Sequence, residues 1–214
     1  MPSRRPTLRS REDRADRDRL APVLPDPSGE FEELSEKIRR CTLCRLARSR
    51  QHAVVYRGSL RPHVVFVGEA PGAEEDRQGI PFVGRSGKLL DQALGSLGPQ
   101  LGELGVLNVL KCRPPANRFD AAAARTCRPY LDRQLAILRP RALVPLGAKA
   151  LGALDPGAPP ILISAGRPRQ GPTGTLFPLI HPAAALRSRR LRERWERDIV
   201  ALGAWVAGGG LETL

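Results

Sequence analysis

Four short apolar runs set the limits on what this chain can fold into. They are HVVFVG (63–68), VLNVLKC (106–112), ALVPLG (142–147) and TLFPLIHP (175–182). Continuous apolar runs of this length read as strands buried on both faces. Helical patterns lie between and around them. EFEELSEKIRRCTLC, from Glu30, is an amphipathic helix that runs into a pair of cysteines. RSGKLLDQALGSLG (85–98) sets Leu89, Leu90, Ala93, Leu94 and Leu97 at helical spacing, with Gly98 as a stop. FDAAAARTCRPYLDRQLAILRP (119–140) reads as a helix interrupted near Pro129, with Asp120 as N-cap. AKALGAL follows the third strand, and AAALRSRRLRERWERDIVALGAWV (183–206) reads as one basic amphipathic helix. Strands alternating with helices predict an α/β sandwich on a mostly parallel sheet. Ligands of such sheets sit beyond the carboxyl ends of the strands. Those ends carry Gly68-Glu69, the Asn108 to Cys112 stretch, Gly147, and His181-Pro182.

The 214 residues are 41% hydrophobic, enough for one core and a tail. Residues 1–28 read as a disordered, basic, proline-punctuated arm, and the folded domain spans 29–208. No apolar run reaches the roughly 18 residues of a membrane helix. The N-terminus lacks the apolar core of a secretory signal, and Glu12, Asp13, Asp16 and Asp18 argue against a transit peptide. The expectation is a soluble cytoplasmic protein with no membrane partner. Net charge is +13 and pI about 11.0. Four of the 35 basic residues are Lys, leaving 31 Arg. Arginine binds phosphate bidentately and stacks on bases. The balance points either to nucleic acid or to a merely solvated, Arg-rich surface.

The loop after the first strand, GEAPGAEEDRQGIPFVG, begins like a phosphate-binding turn. It fits neither G-x-x-x-x-G-K-[ST] nor G-x-G-x-x-G. Glu69, Glu74, Glu75 and Asp76 would repel phosphate. A carboxylate at a strand end can instead orient water or accept hydrogen bonds from a polar ligand. Phe82 either stacks on a flat ligand or tucks into the core.

Cys41 and Cys44 are spaced C-x2-C; Cys112 and Cys127 follow after 67 residues as C-x14-C. In a reducing cytosol this points to metal or redox chemistry rather than disulfides. Structural zinc favours two tight pairs. The loose second pair fits an iron–sulfur cluster better; the alternative leaves Cys112 and Cys127 as core residues. Asn108 stands inside an apolar strand, which is costly unless its amide is paired. It either reads the Watson–Crick edge of a base or bonds neighbouring backbone. Pro182 suits the first position of a helix, whose N-terminus favours negative charge. His181 is then a donor to a developing anion, or a structural histidine.

Together GEAPGAEED (68–76), PFVGRSGKLL (81–90), NVLKCRPPANR (108–118), the Cys127 helix and HPAAALR (181–187) resemble the family 4 uracil-DNA glycosylases, the iron–sulfur branch of their superfamily. The resemblance runs from about residue 37 to 200, with the motifs in family order. It implies a three-layer α/β/α sandwich on a four-stranded parallel sheet. The implied activity is that of a monomeric repair hydrolase. It flips uracil out of single- or double-stranded DNA and cleaves the N-glycosidic bond, leaving an abasic site. Phe82 matches the residue that stacks on uracil, Asn108 the one that reads its O4 and N3 edge, and His181 the donor to the leaving anion. Ala70 matches a further uracil-binding position. Glu69, Glu75 and Asn117 match positions tied to the water side and to pocket shape, with Glu75 placed to exclude the thymine methyl. Cys41, Cys44, Cys112 and Cys127 match the ligands of a structural 4Fe-4S cluster. Arg167, Leu186 and Arg187 match DNA contacts, Leu186 being the intercalating side chain because Ala185 stands where a bulkier wedge is common.

The chain also departs from the family pattern. RFDAAAARTC lacks the usual proline and acids, the Cys112–Cys127 gap is about one residue short, and Arg167-Pro168 replaces Arg-Gly. RPPANR lacks the basic insertion of the covalent-trapping relatives, so irreversible capture of DNA is not expected. Two alternatives stand beside this reading. One is a glycosylase with broader deaminated-base specificity; the other is a non-catalytic iron–sulfur DNA-binding protein, against which intact Glu69, Asn108, Asn117 and His181 speak.

Overall fold

The computed structural model describes residues 26–211. The expected arm lies outside the described residues up to residue 25, and Ser28 already opens the first helix. The strands are β1 (Arg57–Gly58), β2 (Val64–Gly68), β3 (Leu104–Asn108), β4 (Ala142–Pro145), β5 (Arg169–Gly171) and β6 (Gly174–Leu176). They form one sheet in the order β1-β3-β2-β4-β6-β5. The four inner strands run parallel, while β1 and β5 are antiparallel at the two edges. The expected four-stranded parallel sheet is therefore corrected to a six-stranded mixed sheet.

Neither edge strand has an apolar signature. β1 is two residues long, and the polar β5 folds back on β6 through Pro172-Thr173, with Gly174 at φ +99° closing the turn. β6 is shorter than TLFPLI implied because Pro178 has no N–H to give to a ladder. The chain still follows β4: the N–H groups of Phe177 and Leu179 donate to the carbonyls of Leu143 and Pro145, each at 2.9 Å.

The helices are α1 (Ser28–Arg39), α2 (Ala73–Gln78), α3 (Arg85–Leu97), α4 (Ala121–Leu138), α5 (Ala148–Leu154), α6 (Ile161–Ser164), α7 (Pro182–Ala185) and α8 (Arg189–Ala207). The period-2 alternation of β2 divides the core. Val64 and Phe66 face Leu89 and Leu90 of α3 and Trp195, Ile199 and Leu202 of α8. Val65 and Val67 face Phe31 and Ile38 of α1, Leu131 of α4, and Leu151 and Leu154 of α5. This is the three-layer α/β/α arrangement, and it explains why β2 reads as an unbroken apolar run. Each of these side chains contributes about 1.5–3 kcal/mol by leaving water.

Two helix boundaries differ from expectation. α4 passes through Pro129 without a break; the proline removes one helical N–H, and the buried face of Leu131, Ile137 and Leu138 holds the helix together. The final helix is two: α7 ends after one turn, and Ser188 caps α8 by accepting the Leu191 N–H at 3.4 Å. The break leaves His181, Ala183 and Arg187 lining one cavity.

Candidate active site

A cavity of about 550 Å³ lies beyond the carboxyl ends of the parallel strands. Glu69 and Ala70 reach it from the end of β2, Glu75 from α2, Phe82 from the loop before α3, and Asn108 from the last position of β3. Asn117 joins from the loop that follows, and His181 and Arg187 flank α7. Arg167 is not among the lining residues: it is exposed on the loop between α6 and β5. Leu186 is half-buried against the core of α3 and α8 rather than standing free.

Asn108 lines the pocket from the end of β3. It is 1% exposed, yet neither Oδ1 nor Nδ2 has a hydrogen-bond partner. The alternative that it bonds neighbouring backbone is therefore excluded for the side chain. An unsatisfied buried polar group costs about 1–3 kcal/mol, and such a group in a folded protein calls for an explanation. Its opposite neighbour in the sheet is Gly68, where a Cβ would lie 2.3 Å from Asn108 Oδ1 and 2.5 Å from the Phe82 ring. Only glycine lets the ring and the amide share this corner.

Phe82 takes φ +55°, an unfavourable conformation for a residue with a side chain. Gly87 on α3 permits it, since a Cβ there would meet the Phe82 carbonyl oxygen at 1.8 Å. The ring packs in the core and also lines the cavity. Its centroid is 6.1 Å from that of His181, with the planes 30° apart.

The histidine is fixed by the turn it caps. Nδ1 of His181 accepts the Ala183 N–H at 3.1 Å, so the neutral ring carries its proton on Nε2. Burial, and next the charge of Arg187, push its pKa down to about 4. At neutral pH it is an uncharged N–H donor. Gly147, at φ +88°, clears the space beside it, because a Cβ there would sit 2.9 Å from the His181 Cβ.

The two glutamates differ in their engagements. Both oxygens of Glu75 are taken: Oε2 accepts the Gly72 N–H at 3.0 Å and Oε1 the Gly84 N–H at 2.7 Å. It braces the start of α2 against the loop before α3. Glu69 is half-buried, and burial raises its pKa above the usual carboxylate range while Lys149 opposes the shift. Asn117 takes φ +53° and accepts a hydrogen bond from Arg113 Nε at 3.0 Å.

The four cysteines are free thiols that line one small cavity behind this site. Cys41 and Cys44 follow α1, Cys112 follows β3, and Cys127 is on α4. Among the described residues, no three His, Cys, Asp or Glu side chains are placed to hold a single metal ion. The thiols thus share a cavity without meeting at a point. Burial raises the pKa of Cys112 and of Cys127. Arg50 donates to the Cys112 sulfur at 3.1 Å. Lys111, which sequence reasoning did not single out, is buried and lines the cysteine cavity. A lysine inside the apolar run VLKC was the available signal.

The family model for the uracil DNA glycosylase superfamily matches residues 55–201. The chain is 40% identical over 192 residues to the type-4 uracil-DNA glycosylase of Pyrobaculum aerophilum, covering 86% of this chain and 96% of that one. It is 39% identical to the type-4 uracil-DNA glycosylase of Thermotoga maritima over 74% of this chain and 84% of that one. Against the Archaeoglobus fulgidus enzyme of the same name it is 36% identical, over 81% and 92% of the two chains. On this family match and these identities, the chain belongs to the uracil-DNA glycosylase superfamily, in its type-4 branch.

Proposed function

We propose that this protein hydrolyses the N-glycosidic bond of deoxyuridine in single- or double-stranded DNA, releasing uracil and leaving an abasic site. The observation that carries the proposal is the orphaned amide of Asn108 in a pocket that Phe82 and His181 also line. A flipped uracil stacks on Phe82. Its N3–H donates to Asn108 Oδ1 and its O4 accepts from Nδ2. Cytosine presents the reverse pattern, an acceptor at N3 and a donor at C4. A site built to pair a polar edge rejects a base that leaves it unpaired by about 10⁴–10⁵-fold.

As the bond to the sugar breaks, electrons pass to the base and the sugar becomes cationic. Neutral His181 donates Nε2–H to the leaving uracil anion, which is electrostatic stabilisation of developing charge. Glu69, with a carboxylate that nothing else fully engages, holds the attacking water and accepts its proton. Glu75, committed to two backbone N–H groups, shapes the wall that meets C5. Asn117 closes the water side. Arg167 and Arg187 hold phosphates, and Leu186 swings out of its half-buried berth to fill the gap left by the base.

The cysteines fit a 4Fe-4S cluster by the chemistry of their donors: four free thiols around one cavity, with a guanidinium N–H directed at a sulfur. Cys41, Cys44, Cys112 and Cys127 would hold such a cluster, and its iron–thiolate bonds would join the end of α1 to α4; the hydrolysis itself transfers no electrons.

The test is incubation of the cluster-loaded protein with oligonucleotides bearing uracil, hypoxanthine or mispaired thymine, followed by alkaline cleavage. Strand scission at uracil is expected. Its absence overturns the proposal, and equal scission at hypoxanthine replaces it with the broader-specificity reading.

A further inference from the structure

Lys111 occupies the segment between the base pocket and the cysteine cavity. It is 1% exposed. Its ammonium donates to the backbone carbonyl of Asn108 at 2.5 Å. Its carbonyl accepts the Val54 N–H at 2.7 Å, and it lines the cysteine cavity with Cys112 and Cys127. The same segment holds the catalytic loop: Val109 and Leu110 donate to the carbonyls of Gly68 and Glu69 at 2.9 and 3.1 Å. Residues 108–112 therefore carry the base-reading amide at one end and a thiol at the other, with a buried amine spanning them.

A buried amine is an expensive way to fill space, since an apolar side chain of the same length packs without desolvating a charge. What it adds is a donor aimed at one particular peptide. We infer that Lys111 is a positioning residue for base recognition: by holding the Asn108 carbonyl it sets the angle at which the Asn108 amide enters the pocket, and as a lining residue of the cysteine cavity, next to Cys112, it ties that angle to the cysteines. The inference rests on the reading of Asn108 as the uracil reader. Beyond packing against Gly68 and the Phe82 ring, the Asn108 side chain has no hydrogen bond of its own to fix its direction, so the fold aims it through its peptide, which Lys111 holds at the carbonyl and Gly68 at the Val109 N–H.

The test compares wild type with Lys111→Met in three assays: competitive inhibition by free uracil, binding to an abasic-site oligonucleotide, and absorbance near 400 nm per chain. Inhibition by uracil is expected to weaken about ten-fold, the size of one hydrogen bond, while abasic-site binding and absorbance stay at wild-type levels. In an Asn108→Ala background the substitution is expected to cost nothing further. Unchanged uracil inhibition overturns the inference, as does an equal loss in all three assays. If Lys111→Met does not fold, Lys111→Gln, which keeps a shorter donor, carries the same criteria. Wild-type protein that releases no uracil would instead overturn the activity itself.

Discussion

Asn108→Leu is expected to stabilise the fold while abolishing uracil release. Asn108 buries two polar atoms without partners, at 1% exposure. At the lower end of about 1–3 kcal/mol for each unsatisfied group, removing both gains about 2 kcal/mol. Leucine keeps the branch point at Cγ, and the neighbouring cavity takes its extra bulk. In a domain of this size each kcal/mol moves Tm by about 2–4 °C, so a rise of about 4–8 °C is expected. The assays are calorimetric melting and single-turnover release of uracil from a labelled oligonucleotide. Uracil release is expected to fall by at least about 10²-fold, because both contacts to the base edge are lost. A lower Tm would refute the reasoning, since it would mean that the amide is satisfied in solution. So would a variant that still releases uracil within ten-fold of wild type.

His181→Ala should lower the single-turnover rate by about 10²–10³-fold, as loss of one donor to a developing anion does, with abasic-DNA binding retained. The pKa of His181, about 4, lies below the ordinary value of 6.5, so the unfolded chain binds the extra proton first as pH falls. Stability should therefore decline between about pH 6.5 and 4, by at most about 3 kcal/mol, and the decline should be smaller in His181→Gln when followed by urea midpoints. Glu75→Gln puts an NH2 group against a backbone N–H that needs an acceptor, so it should cost about 1–3 kcal/mol in melting experiments. Glu69→Gln should cost no stability, because burial already disfavours its charge, but should slow uracil release. Cys127→Ser should remove the absorbance near 400 nm and lower Tm, read by spectrophotometry and melting together.

The strands and their ends were legible because a strand buried on both faces leaves a run of Val, Leu and Phe that little else produces. The same physics exposed Asn108, a polar residue in such a run, while the cysteines showed by their spacing. The edge strands were not legible, since β1 and β5 are held by backbone pairing with β3 and β6 and have polar or glycine-rich sequences. α4 was read as broken at Pro129 because the local cost was visible and the packing that offsets it was not. The split at Ser188 depends on a cap that competes with an otherwise unbroken helical pattern. Within the site, residue types announced donors and acceptors, but engagements did not show. Glu69 and Glu75 look alike in GEAPGAEED, and only the fold reveals that Gly72 and Gly84 occupy Glu75. The freedom of Gly68 and Gly87 from side chains likewise makes sense only once Phe82 is beside them.

The most direct test of the account is single-turnover base release from two oligonucleotides that differ only in carrying uracil or cytosine at one position. Wild-type protein should release free uracil quantitatively and no detectable cytosine, because the Asn108 amide matches one edge and leaves its groups unpaired against the other. No uracil release, or release of both bases at similar rates, would contradict the assignment of this pocket.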